Sequence, residues 1–393
     1  MATKYPITGG GNWSDGATWN TSPNQSSSNT TAPSSSDDVI LDEYGGAVVV
    51  NAAACVCKTL TCNHANANLT FTASQKLTVS GDVTFITGMT LAGTGTLNID
   101  AAATLTSGGL TFPGALTLTG ANTKTLSGNW INTGLVTFAT ANTVLNLSTA
   151  ETLTCLGGLA ATGSISGTAT IILGGTGGTW SGTGAISNNL TINCTTLTIS
   201  GNVYYAAGTL TYTAGTVTVT GSTLILRTAG MTLNTSGMTW NNVTLNTSGL
   251  TYTLASDLIC SGTLNASVGS NITVAGAYDI TCRTLWISGN GATLTLPAGQ
   301  TITITGSILV AGTVAYGMEI KSSTPSSSVY LVYSGTAADC KVFAGTFTDI
   351  DASGSTQGID NWYGGTLTRT SGITNRTSAD IGGAVADVFG IIG

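Results

Sequence analysis

The sequence predicts an all-β fold: a single-chain β-solenoid, a right-handed parallel β-helix of three sheets, with an N-terminal cap and a small C-terminal region. Three observations carry that expectation. Through residues 77–125, short runs such as Leu77-Thr78-Val79 and Leu116-Thr117-Leu118 alternate apolar and hydroxyl residues, the period of a strand with one buried face. Each run stops at Ser-Gly, Thr-Gly or Ala-Gly, where glycine permits a turn, and the device recurs as LTISG at 197–201, VTVTG at 217–221, ITVAG at 272–276 and ITITG at 302–306. Charged residues are only 7% of the 393, against about 25% in ordinary soluble domains, while glycine reaches 53. The surface is therefore mostly hydroxyl and amide.

The same numbers limit the partners. A net charge of −7 and a pI near 4.4 lack the basic footprint of nucleic-acid binding. No run of about 18 apolar residues supports a membrane span. The opening MATKYPITGGGNWSDG has no basic segment followed by an apolar one, so no secretory signal is read and the chain is expected to fold in a cytoplasm. Its eight cysteines form no dense framework. Cys155, Cys194, Cys260 and Cys282 sit in or beside strand-like runs, where a reduced thiol is a small buried hydrophobe.

Residues 1–46 form the first element, a capping or attachment module. Trp13 and Trp19 in GNWSDGATW precede a Ser/Asn/Pro-rich loop from Asn20 to Ser36 and then DDVILDEYGGAVVVN. A first coil exposes an edge that would recruit other strands and needs a cover. The two indoles suit a hydrophobic plug, with contact to a partner or sugar as the alternative.

GNWSDGATW, Ala32-Pro33-Ser34, DDVILD and VVVNAAACVCKTLT together resemble the leading segment of β-helical structural proteins of tailed phages, tail fibres and similar appendages, a segment also seen in bacterial surface adhesins. The likeness covers residues 9–62 and, generically, the Thr/Gly-rich body. It implies a fold and a virion or surface setting, and no activity. Without a secretory signal, the phage branch is preferred.

Residues 47–342 form the shaft. Coils of roughly 20 to 25 residues would give roughly 12 to 14 turns and a rod of about 60 Å. TLNTSG occurs at 232–237 and again at 244–249, so the turns are unequal in length. Between Ala101 and Ser256 the only charged residues are Glu151, Lys124 and Arg227. So neutral a shaft needs shielding, and a homotrimer is expected. Residues 343–393 form a closing rung and docking tail: Asp349, Asp351 and Asp360 lie near Trp362 and Tyr363, and SADIGGAVADVFGIIG places Ile381, Val385, Val388 and Phe389 on one helical face behind a Ser378 cap.

Four constellations bear on chemistry. Cys55, Cys57, Cys62 and His64 could satisfy a tetrahedral zinc ion, or the thiols a disulfide, but the spacing is not the usual paired C-x2-C and core packing is the favoured reading. Asp349 and Asp351 would face the same way on a strand, about 7 Å apart, as a pair for glycan cleavage; turn formation is the stronger reading. Thr216, Thr218, Thr220 and Thr301, Thr303, Thr305 could order water as a hydroxyl ladder, except that unequal coils should break the alignment. Tyr204, Tyr205, Tyr212, Trp180, Trp240 and Trp286 are ring platforms or core. For glycan or partner contact the residues singled out are Trp13, Trp19, Tyr204, Tyr205, Trp362 and Tyr363.

The expected function is that of a virion structural protein: a β-solenoid tail fibre, head fibre or appendage for adhesion to host-surface glycan or decoration of the particle. It is expected to need no cofactor and to perform no catalysis. A bacterial surface adhesin and a glycan-degrading tailspike are the alternatives.

Overall fold

A computed structural model describes residues 1–147, 151–228, 230–247, 249–267, 271–288, 291–311, 318–362 and 366–376. The chain is all-β, its parallel strands wound as a β-solenoid of about 15 turns. It groups into two units, Met1–Tyr204 with Thr213–Thr218, and Tyr205–Tyr212 with the residues from Val219 on. The proposed helix over 378–389 lies outside the described residues.

In the first unit each coil contributes one strand to each of three parallel ladders. In the first ladder Leu60, Val83, Leu105, Leu126 and Leu147 stand directly above one another, all buried. Their neighbours Thr61, Thr84, Thr106 and Ser127 form the adjacent outward column. The alternation thus builds the core, each enclosed Leu or Val contributing about 1.5–3 kcal/mol relative to exposure. Past the first coil, where Thr3 pairs with Asp38, the register along the ladders of this unit advances by as few as 18 residues, Cys155 to Leu173, and as many as 23, Asn132 to Cys155. The winding occupies more of the chain than expected, which contributes to the larger number of turns. The ladders also reach beyond 47–342: Thr3 and Lys4 pair with Asp38 and Val39, and Ile359–Trp362 with Ile373–Arg376.

The irregularity resides in particular corners. Between the second and third ladders the equivalent residues are Phe112 and Leu116, Asn132 and Val136, Cys155 and Leu159, four apart over these three coils and then seven apart at Leu173 and Trp180. Between the third and first they are Leu97 and Leu105, Leu116 and Leu126, Val136 and Leu147, Leu159 and Gly167, separated by 8, 10, 11 and 8. The four-residue corner is a column of glycines, Gly95, Gly114, Gly134 and Gly157, packed against the preceding coil. A Cβ on Gly114 would lie 2.0 Å from Gly95 O, and one on Gly134 2.5 Å from Gly114 O. Buried Asn132 braces this corner, its Nδ2 donating to Gly114 O at 3.1 Å and Gly134 O at 2.7 Å. Asn132→Ala is expected to cost about 2–3 kcal/mol for two lost buried hydrogen bonds, read as a lower denaturation midpoint at unchanged far-UV circular dichroism.

Trp13 and Trp19 lie at the start of this unit with ring centroids 5.1 Å apart, edge to face. Trp19 Nε1 donates to Trp13 O at 2.9 Å and Trp13 Nε1 to Val56 O at 3.3 Å. Lys124 occupies an inward column between Ala103 and Leu145, and its ammonium donates to the carbonyls of Thr119, Gly120 and Asn122.

The second unit is built on the same plan. One ladder stacks Thr223–Leu226, Asn242–Leu245 and the later parts of Leu258–Ser267, Ile280–Ser288 and Thr301–Ala311. The identical TLNTSG segments fall in different ladders, Thr232 pairing with Thr209 and Thr244 with Ile225. They are two sides of the winding rather than successive coils, alike because each needs Leu inside and Thr outside.

Candidate functional site

The ladder through Asn242–Leu245 carries the most distinctive surface in the second unit. In Ile280–Ser288, Leu285 and Ile287 point inward and are fully buried, which turns Trp286 outward. Trp286 remains 42% exposed, with Leu309 as its partner on one side in the outward column and Asn265 on the other. Register places Asn265 beside it and Thr244 beside Asn265, while Thr263 stacks on Thr284 in the parallel column.

Thr223, Asn242, Thr244, Thr263, Asn265 and Trp286 line an open depression of about 260 Å³. Asn242 is fixed: its Oδ1 accepts from Thr263 N at 2.8 Å and its Nδ2 donates to Ser222 O at 3.3 Å. Asn265 Oδ1 is shut off from solvent and has no hydrogen-bond partner among the described residues. None of the six lining side chains is charged. An indole face beside amides and hydroxyls at strand spacing suits a flat ligand that is apolar on one side and rich in hydroxyls at its rim.

Most of the residues singled out from sequence stand elsewhere. Trp13 and Trp19 are 1% and 0% exposed, so they offer no ring face to a partner or sugar and act as core. Tyr205, Trp180 and Trp240 are buried as well, and Tyr204 and Tyr212 are half-buried. Trp362 ends a strand, with its side chain outside the described residues; Tyr363 lies outside them altogether. In sequence Trp286 is one of several candidate rings, and its asparagine and threonine neighbours are not adjacent to it. The signal was in TLWIS, where inward Leu285 and Ile287 force the intervening tryptophan out.

The four zinc candidates are not assembled. Cys55 and Cys57 face inward in one strand and Cys62 in the next, all buried and unpaired as thiols. Burial pushes the Cys57 and Cys62 thiols well above the ordinary range, opposing the thiolate a metal requires. His64 lies outside the core, its Nδ1 accepting from Asn66 N at 3.2 Å and its Nε2 3.6 Å from Glu43 Oε2. Among the described residues no three His, Cys, Asp or Glu side chains converge on a metal position.

Asp349 and Asp351 each have a tight local role. Asp349 is buried in a left-handed conformation, φ 57°, and is gripped by Arg369, whose Nη2 donates to Oδ2 at 2.7 Å and whose Nε donates to Oδ1. Asp351 Oδ1 accepts from Ser353 N at 2.9 Å and from Ser371 Oγ. Arg369 holds the Asp349 carboxyl below its ordinary value, and the Ser353 and Ser371 side chains do the same for Asp351. A glycosidase acid needs the opposite shift. Because the folded value of Asp349 lies below 3.8, its pairing stabilises the fold fully above that pH and is lost as pH falls through the folded value. Arg369→Ala is expected to flatten this acid limb, measured as stability against pH from 5 to 2.

The threonine columns correct one expectation. Unequal coils do not break hydroxyl alignment in the first unit, because corners absorb the differences: Thr61, Thr84, Thr106 and Ser127 are in register, flanked by Thr59, Asp82, Thr104 and Thr125. Around Thr301 and Thr303 the columns do change character, to Asp279 and Tyr330 beside Thr301 and to Val332 beside Thr303. No helix among the described residues is long and apolar enough to cross a membrane. Compared with protein-family models, with curated proteins and with solved structures, the chain matches none.

Proposed function

We propose that this protein is a non-enzymatic structural component of a tailed phage particle, a β-solenoid fibre or appendage that adheres to glycan on the host surface. The observation that carries the adhesion reading is Trp286, 42% exposed beside uncharged Asn265 and Thr244 on a ladder held by stacked backbone hydrogen bonds. The phage setting rests on the likeness of residues 9–62 described above. Stiffness comes from the ladders and recognition from side chains projecting at strand spacing, so neither needs a nucleophile or a cofactor.

Two measurements test it. Mass spectrometry of phage particles purified from the source culture is expected to detect the chain; its absence from the particles would end the virion reading. Purified protein is expected to bind isolated host envelopes, and envelopes stripped of polysaccharide by periodate are expected to bind none. The nearly neutral shaft further favours self-association as a trimer, so light scattering should return three times the 39.2 kDa chain mass. A stable monomer would exclude the trimer.

A further inference from the structure

Resting on the adhesion reading, we infer that the depression beside Trp286 is a subsite for a neutral glycan, one without uronate, sulfate, phosphate or sialate groups, lying along the stack of strands. The chemistry of the lining sets the class. Thr223, Asn242, Thr244, Thr263 and Asn265 offer hydroxyls and amides, and Trp286 offers the only ring. An anionic glycan needs a cation to replace the water stripped from its charges, and this lining holds none. The C–H face of a pyranose loses little on leaving water and packs against an indole.

Asn265 supplies a second, independent pointer. Its Oδ1 is withdrawn from solvent without a hydrogen-bond partner among the described residues, which is costly unless a donor arrives. It stands next to Trp286 in register, and rotation of its amide toward the depression would let Oδ1 accept from a hydroxyl of a sugar stacked on the ring. The direction follows from the ladder. Thr244, Asn265 and Trp286 lie one strand apart in sequence along one column, and a hexopyranose advances a chain by roughly one such spacing of about 4.8 Å. Successive sugar units thus meet successive coils.

The test uses the full chain, wild type, Trp286→Ala and Trp286→Phe, titrated against mannan, dextran and chitohexaose as neutral probes and polysialic acid and alginate as anionic ones. At least one neutral probe is expected to bind, to lose tenfold or more in affinity in Trp286→Ala, and to keep most of it in Trp286→Phe; the anionic probes are expected not to bind at the same concentrations. Circular dichroism and denaturation midpoint of Trp286→Ala should match wild type. Neutral binding unaltered by Trp286→Ala overturns the subsite and leaves adhesion standing. Anionic binding lost in Trp286→Ala overturns the neutral class alone. No binding of any probe overturns the inference, and the envelope experiment above then tells whether adhesion falls with it.

Discussion

Raising the pH from 8 to 10 under reducing conditions is expected to lower the stability of the protein by about 4 kcal/mol or more. All eight cysteines are free thiols inside the fold. Burial raises Cys155 and Cys282 to about 12 and Cys340 to about 11, and it pushes Cys57, Cys62 and Cys260 upward as well. In the unfolded chain these thiols ionise near 9, so between that pH and their folded values only the unfolded state gives up protons. The stabilisation is whole below 9 and is lost as pH rises toward the folded values, at roughly 1.4 kcal/mol per thiol per pH unit. Cys155, Cys282 and Cys340 together amount to about 4 kcal/mol at pH 10, and the other five thiols add in the same direction. Lys124 runs the other way. Burial lowers its ammonium, so the folded state gains stability as pH rises toward 10.5, one group against eight thiols. The guanidinium denaturation midpoint should fall from pH 8 to 10, and Cys155→Ala should make the fall shallower. Thiols that titrate near pH 9 in a fully folded protein would refute the account.

Trp130→Ala is expected to cost about 3–5 kcal/mol, the cost of emptying a large buried aromatic site. Trp130 is 1% exposed, with its ring centroid 6.0 Å from Phe85 and 6.3 Å from Phe112, which in turn lies 5.2 Å from Phe71. No nearby side chain is free to collapse into the space, because every coil is pinned by ladders above and below. Guanidinium unfolding of the variant should shift to a clearly lower midpoint. The contrast is Trp286→Ala, which removes an exposed ring and should change stability by less than about 1 kcal/mol. The same substitution at two tryptophans thus separates core from surface.

The alternation that identifies strands also identifies their inner face, which is why Leu77, Val79, Leu116 and Leu118, all buried, are legible as core in the sequence. Lys124 follows the same rule, since it precedes Leu126 by two and falls on the inward side. Register between coils was not legible. It depends on corner lengths, and nothing local in TLNTSG tells whether its two copies stack or lie on different ladders. The candidate site suffered most from this. Thr244, Asn265 and Trp286 are 21 residues apart in turn and become neighbours only through pairing. Trp13 and Trp19 were conspicuous for the opposite reason: aromatic residues draw notice in a chain poor in them, and here the large rings mostly fill the interior.

The glycine column between the second and third ladders bears on how such a chain changes over generations. Where those glycines stack, the edge holds four residues with no room for a side chain at the glycine, while the join between the third and first ladders runs from 8 to 11; once the glycine column ends, the edge itself widens to seven. Insertions at the variable join should therefore be tolerated better than insertions beside the stacked glycines, which keep successive coils in step.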